Sequence, residues 1–200
     1  MEEVLKKITS SGPETDETIA QHLKCEEMRE VAMEKCPKVT FLVRAMERMG
    51  CKIKDIPDFF SSEHCNGNIN GGFRLNDKGK PGVVLCQNHI LDQEWMNRTL
   101  AHELIHAFDH CRAKIDWRTD CDSHACSEVR AAALSGDCDF ALELARGNVN
   151  IAKQHQICAR RRAELSLQHN PMCEGKVKAC VDRVFDTCYK DLHPYPEIPK

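Results

Sequence analysis

Five residues constrain this chain more than any others: His102-Glu103-Leu104-Ile105-His106. On a helix, side chains four positions apart lie on one face, roughly 6 Å from each other. The imidazoles of His102 and His106 can therefore reach one metal ion. Glu103 follows the first histidine by one residue, so its carboxylate stands beside that ion rather than on it. A base in that place can take a proton from an attacking water. Thr99, Leu100, Leu104, Ile105, Ala107 and Phe108 frame the motif without a charge, and no proline interrupts it. A solvated helix with two surface histidines would not be apolar on nearly every side. The expectation is a buried helix carrying a zinc hydrolase site.

A catalytic zinc takes three protein ligands and keeps a fourth position open. One large class supplies a third histidine six residues after the second, with glycine at the third position to turn the chain. Arg112 and Asp109 occupy those places here, which excludes that arrangement. A second class supplies a glutamate from the next helix, and Glu128 in Ser127-Glu128-Val129-Arg130 meets that description. His124, one turn earlier on the same face, is its rival. Asp109, one turn after His106, is placed either to orient a ligand histidine from behind or as a helix-surface acid. Candidates for steadying the oxyanion of the transition state are His155, Tyr189 and Arg130.

Two hundred residues suit one domain, and a net charge of −3 implies no general attraction to nucleic acid. No run approaches the ~18 apolar residues of a spanning helix. The first residues, Met1-Glu2-Glu3-Val4-Leu5-Lys6-Lys7, read neither as a secretory signal nor as an Arg-rich presequence. That points to the cytosol, yet thirteen cysteines are spread along the chain with no C-x-x-C pair. Spacings such as Cys25 to Cys36 and Cys111 to Cys121 suit disulfides that staple neighbouring helices, against a reading as buried thiols. An oxidising compartment reached without a cleaved signal is the mitochondrial intermembrane space. The odd count leaves at least one thiol unpaired.

Along the chain, residues 1–16 read as a disordered lead, 17–192 as one metallopeptidase domain and 193–200 as a proline-rich tail. A first helix begins near Thr15, capped by Asp16 or Thr18, and a second starts at Pro37 and stops at Gly50. Its methionines read as core. Cys51–Ile56 alternates like a short strand, and 58–72 reads as loop. Gly72–Leu75 and Gly82–Cys86 flank Asn76-Asp77-Lys78-Gly79 as a hairpin. A strand just before the metal helix can offer an edge to an extended peptide, and Gly71-Gly72 either admit a substrate backbone or simply turn. Asp92 caps the metal helix, which runs to about Ala113, and Asp122 or Ser123 caps the next, which Gly136 stops. Further helices are expected at 140–146, 151–168 and 172–189. Arg160-Arg161-Arg162 reads as a solvated face, or as a contact for anionic lipid headgroups.

Two segments carry a resemblance to a known family: His102-Glu103-Leu104-Ile105-His106-Ala107-Phe108-Asp109-His110-Cys111-Arg112 and His124-Ala125-Cys126-Ser127-Glu128-Val129-Arg130-Ala131. From about Cys25 to its end the chain resembles the mitochondrial inner-membrane metalloproteases that mature an ATP synthase subunit. The cysteine distribution is similar too. The resemblance implies a zinc (Zn2+) endopeptidase on the intermembrane-space side, peripheral to the inner membrane, with no transmembrane helix and no nucleic-acid partner. Its implied substrates are an ATP synthase membrane-sector subunit and intermembrane-space proteins, and it implies help in ATP synthase assembly. His102 and His106 become metal ligands and Glu103 the catalytic base; Glu128 remains the third ligand expected from the helix pattern. The fold expected is α+β and mostly α: a zincin-like core with a small antiparallel sheet or hairpin before the HExxH helix, and cysteine-stapled flanking helices. The alternative is a non-proteolytic assembly factor that keeps a structural zinc.

Overall fold

The computed structural model describes residues 15–113, 115–148 and 153–199. Of the expected disordered lead, all but Thr15 and Asp16 lie outside the described residues. The described residues form two compact units, divided between Cys111 and Arg112.

The first unit opens with helix α1 (Asp16–Lys35) and helix α2 (Pro37–Arg48). Thr15, not Asp16 or Thr18, caps α1: its hydroxyl accepts from Thr18 N, and the Thr18 hydroxyl accepts from Thr15 N. That reciprocal pair is a capping box and satisfies two orphan amides at once. Pro37 sits at the first position of α2, where its missing N–H costs nothing. Gly50 ends the turn at φ +89°, a left-handed conformation that side chains resist. Met28 and Met46 are core, as expected, whereas Met49 is exposed.

Cys51–Ile56 is not a strand. Ile53–Asp55 form a 3₁₀ turn. Ile53 is buried and Cys51 is bridged to Cys111, so this stretch is fixed by one apolar anchor and one covalent bond rather than by a ladder. The first strand is instead β1 (Phe60–Glu63), inside the segment expected to be loop. It pairs in parallel with β3 (Pro81–Cys86), and β2 (Gly71–Leu75) pairs with β3 antiparallel, Phe73 opposite Val83. The hairpin is as expected, but the sheet is mixed, in the order β1-β3-β2. The strand nearest the metal helix in sequence, β3, is therefore central and offers no edge; β2 does. Its Val83, Val84 and Leu85 are fully buried, as a run covered on both faces requires. Helix α3 (Gln93–Arg112) follows, with Asp92 Oδ1 accepting from Trp95 N at 2.7 Å as its cap.

The second unit is helical: α4 (Cys121–Leu134), α5 (Phe140–Ala145), α6 (Gln154–Gln168), a 3₁₀ turn at Pro171–Cys173, and α7 (Val177–Lys190). Asp120, two and three residues ahead of the two expected ones, caps α4 by accepting from Asp122 N and Ser123 N. The last helix starts at Val177 rather than Met172, because Gly175 (φ +72°) separates it from the 3₁₀ turn.

Five disulfides form: Cys51–Cys111 and Cys65–Cys86 in the first unit, Cys121–Cys173, Cys126–Cys188 and Cys138–Cys158 in the second. Each restrains the unfolded chain, typically by about 2–4 kcal/mol. Cys25, Cys36 and Cys180 are free and buried. Burial pushes the Cys25 and Cys180 thiols up, away from the reactive thiolate.

Arg160, Arg161 and Arg162 are neither bare nor lipid-ready. They pair with Asp182, Glu143 and Asp137, and Arg160 also lies 4.1 Å over the Phe185 ring. Glu143 is the hub. Fully buried, it accepts from Gln154 at 2.6 Å, Arg161 at 2.7 Å, Arg146 at 2.9 Å and Asn148 at 3.0 Å. Burial alone would raise its carboxyl. The bonds from Arg146, Arg161 and Gln154 outweigh that and hold it below its ordinary 4.5. A carboxylate held below its unfolded value stabilises the fold above that value and loses the benefit as pH falls through the folded one. Glu143→Ala should therefore cost roughly 2–3 kcal/mol in urea unfolding at neutral pH, less than a fully enclosed pair because both arginines reach water. The cost should shrink in acid.

Candidate metal centre

Helix α3 places the first two residues. Its buried positions run almost unbroken from Thr99 to Asp109, so the motif faces protein, not solvent. His106 and Glu103 are buried and His102 is partly buried. The two imidazole rings lie 5.0 Å apart at 74°, the separation that one helical turn gives. Phe73 of β2 packs beside them, 6.4 Å from the His106 ring and 5.8 Å from the His110 ring. Burial holds His110 below its ordinary value, favouring a neutral ring. Asp109 is buried, which removes the reading of a helix-surface acid.

Helix α4 carries the other two candidates. Glu128 is buried, and so is His124 one turn before it. One ligand-capable atom from each of His102, His106 and Glu128 lies within 4.8 Å of the other two. His124 is not in that group. Its Nδ1 sits 2.6 Å from the Asn170 amide nitrogen, and its Nε2 sits 3.6 Å from Glu128 Oε1. The amide donates, so Nδ1 accepts and the ring proton belongs on Nε2, facing Glu128. The Trp117 ring meets the imidazole edge-on at 5.3 Å. His124 thus stands beside Glu128, beyond hydrogen-bond distance and outside the set of three, a placement that the pattern of the letters could not separate from that of ligand. Asn170, which fixes the tautomer, lies beyond α6 and has no sequence signal of its own.

The three oxyanion candidates are otherwise engaged. Arg130 is fully buried and its guanidinium donates to the backbone carbonyls of Asp191 and His193, with the Asp191 carboxylate 2.9 Å away. Burial would raise Asp191, but Arg112 and Arg130 hold it down to about 2. This arrangement pins the tail to α4. His155 Nδ1 pairs with the Tyr189 hydroxyl at 2.7 Å. Burial lowers the imidazole and raises the phenol, so Tyr189 donates and a neutral His155 accepts.

The geometry is a buried set of two imidazoles and one carboxylate, with a second carboxylate next to the first imidazole in sequence. The peptidase M76 family model matches residues 23–196 of the chain. The chain is 46% identical over 179 residues to "Mitochondrial inner membrane protease ATP23 homolog" of Xenopus laevis, covering 88% of this chain and 74% of that protein. It is also 46% identical to the protein of that name from Homo sapiens, covering 88% of this chain and 70% of the other. Against "Mitochondrial inner membrane protease ATP23" of Saccharomyces cerevisiae it is 39% identical, covering 88% and 79%. No solved structure matches the chain.

Proposed function

The chain belongs to the peptidase M76 family and is a metallopeptidase, and from that premise we propose that it is a zinc endopeptidase of the mitochondrial inner membrane, attached peripherally on the intermembrane-space side. The observation that carries the reading is the convergence of His102, His106 and Glu128. Two imidazole nitrogens and one carboxylate oxygen are a known catalytic zinc set, with a position left open for chemistry. Magnesium or calcium would call for oxygen ligands throughout.

His102, His106 and Glu128 would hold the zinc, which when bound would supply Lewis acidity to the attacking water and to the scissile carbonyl. The rest falls to the chain. The Glu103 carboxylate takes the proton from the water oxygen as it bonds to the carbonyl carbon. The same carboxyl returns that proton to the amide nitrogen as the C–N bond breaks. The His124 ring, with its Nε2–H toward Glu128, limits how that carboxylate can turn. Burial of Glu103 and His106 keeps bulk water off the base and strengthens each charge interaction there. The open edge of β2, whose Phe73 lies against α3, offers backbone N–H and C=O groups to an extended peptide.

The substrate we propose is the N-terminal segment of an ATP synthase membrane-sector subunit, with help in assembling that sector and turnover of intermembrane-space proteins as further duties. Five disulfides support an oxidising space. No helix among the described residues is long and apolar enough to cross a membrane. Peripheral attachment is supported by the exposed Phe140 and Leu144 of α5 and Ile157 and Leu165 of α6. Chelation of the purified protein should abolish cleavage of that subunit in detergent, and zinc at one equivalent should restore it. Cleavage that survives complete zinc removal would contradict the reading.

A further inference from the structure

Gly71 is the first residue of β2 and stands opposite Leu85 in the ladder. Its φ is ordinary, so backbone freedom is not what the position uses. Space is. A Cβ placed there would lie 2.8 Å from Val84 O, 3.1 Å from Thr99 Cγ2 and 3.4 Å from Glu103 Cγ. The first contact is with backbone of the central strand, which moves only if the sheet moves. The other two are with α3, at the base and one turn before it.

We propose that Gly71 is a positioning residue for Glu103: its missing side chain sets how closely the edge strand approaches the helix, and so where the carboxylate of the base stands. This rests on the reading of Glu103 as base. β2 is held against Val84 by the ladder and cannot retreat cheaply. A Cβ added at 71 therefore overlaps Val84 O and crowds Thr99 Cγ2, while it meets Glu103 Cγ at ordinary contact distance; the relief is a shift between β2 and α3, and Glu103 moves with its helix. A base displaced by an ångström or less loses its line to the attacking water, and that part of the effect is separate from any shift of the β2 edge that receives the peptide. That part falls on kcat.

The test is a set of variants assayed on one peptide with zinc loaded: Gly71→Ala, Thr99→Ser, their combination, and each with Glu103→Gln. Gly71→Ala should lower kcat about 10–100-fold, as misplacement of a catalytic group does, whatever smaller change in KM reports on the β2 edge that receives the peptide. Thr99→Ser removes Cγ2, relieves the crowding against α3 though not the overlap with Val84 O, and should recover part of the loss. In the Glu103→Gln background, Gly71→Ala should add nothing, because it acts through the group already removed. Thermal melts and zinc content read the fold independently of activity. The proposal is overturned by a folded Gly71→Ala with normal kcat, by a loss carried wholly in KM, or by a loss that adds in full to that of Glu103→Gln. It is also overturned if Thr99→Ser rescues nothing, or if neither the single nor the combined variant folds, since Gly71 then serves folding alone. Full cleavage by Glu103→Gln by itself would instead sink the functional reading beneath it.

Discussion

Glu103→Gln should leave a folded protein with its full complement of zinc and almost no peptidase activity. Glutamine keeps the volume and one carbonyl oxygen of glutamate but can neither take the water proton nor return it to the leaving nitrogen. General acid–base catalysis is typically worth 10²–10⁴-fold, so kcat should fall by about that factor, with KM changed little. Glu103 is buried beside its helix neighbours, and a neutral isostere there relieves desolvation, so the melting temperature should hold or rise. Single-turnover cleavage together with zinc analysis checks this. A variant that has lost its zinc would make Glu103 a ligand rather than a base, and one with wild-type kcat would remove it from the chemistry.

Glu128→Ala and His124→Ala should part company. Both residues are buried on one face of α4, and the letters alone make them rivals. Glu128 has a ligand-capable atom within 4.8 Å of those of His102 and His106, whereas His124 is engaged with Asn170 and lies 3.6 Å from Glu128. Removing Glu128 leaves two ligands, and the protein should come off a desalting column without stoichiometric metal and without activity. Removing His124 leaves all three ligands but frees Glu128 to turn. Loss of such an outer partner usually costs 10–100-fold in metal affinity or activity, so His124→Ala should still hold zinc at micromolar concentration. Competition with a chromogenic chelator measures both. The reverse order would make His124 the third ligand.

How much of this the letters disclosed depends on how local the cause is. The metal helix was legible because its signal is a helical period: two histidines one turn apart in an uncharged frame require a buried face, and α3 has one. Glu128 was a candidate because the ligand set limits where a third group can come from, and its carboxylate lies within 4.8 Å of ligand-capable atoms of His102 and His106. The hairpin was legible from its turn residues. The misreadings share the opposite property. Phe60–Glu63 reads as loop because two serines sit in it, and it becomes a strand only through parallel pairing with residues more than twenty positions away. Cys51 and Ile53 alternate with lysines as in a strand, but a bridge from Cys51 to Cys111 decides the local path. Disulfide partners lie 20 to 62 residues apart; two of the five bridges join consecutive cysteines and three do not, so short intervals did not mark the pairs, and Cys25 and Cys36 remain thiols. Gly71 reads in sequence as a turn or as room for a substrate backbone, and in space it is clearance between β2, β3 and α3. Arg160–Arg162 read as a solvated run because Glu143, Asp137 and Asp182 are distant or buried acids.

X-ray absorption at the zinc edge, on the purified protein loaded with one equivalent, tests the centre of the account most directly. The expected result is a first shell of two imidazole nitrogens at about 2.0–2.1 Å and carboxylate oxygen at about 2.0–2.2 Å, with one imidazole lost on His106→Ala. A shell containing sulfur at about 2.3 Å, or one unchanged by that substitution, would contradict it.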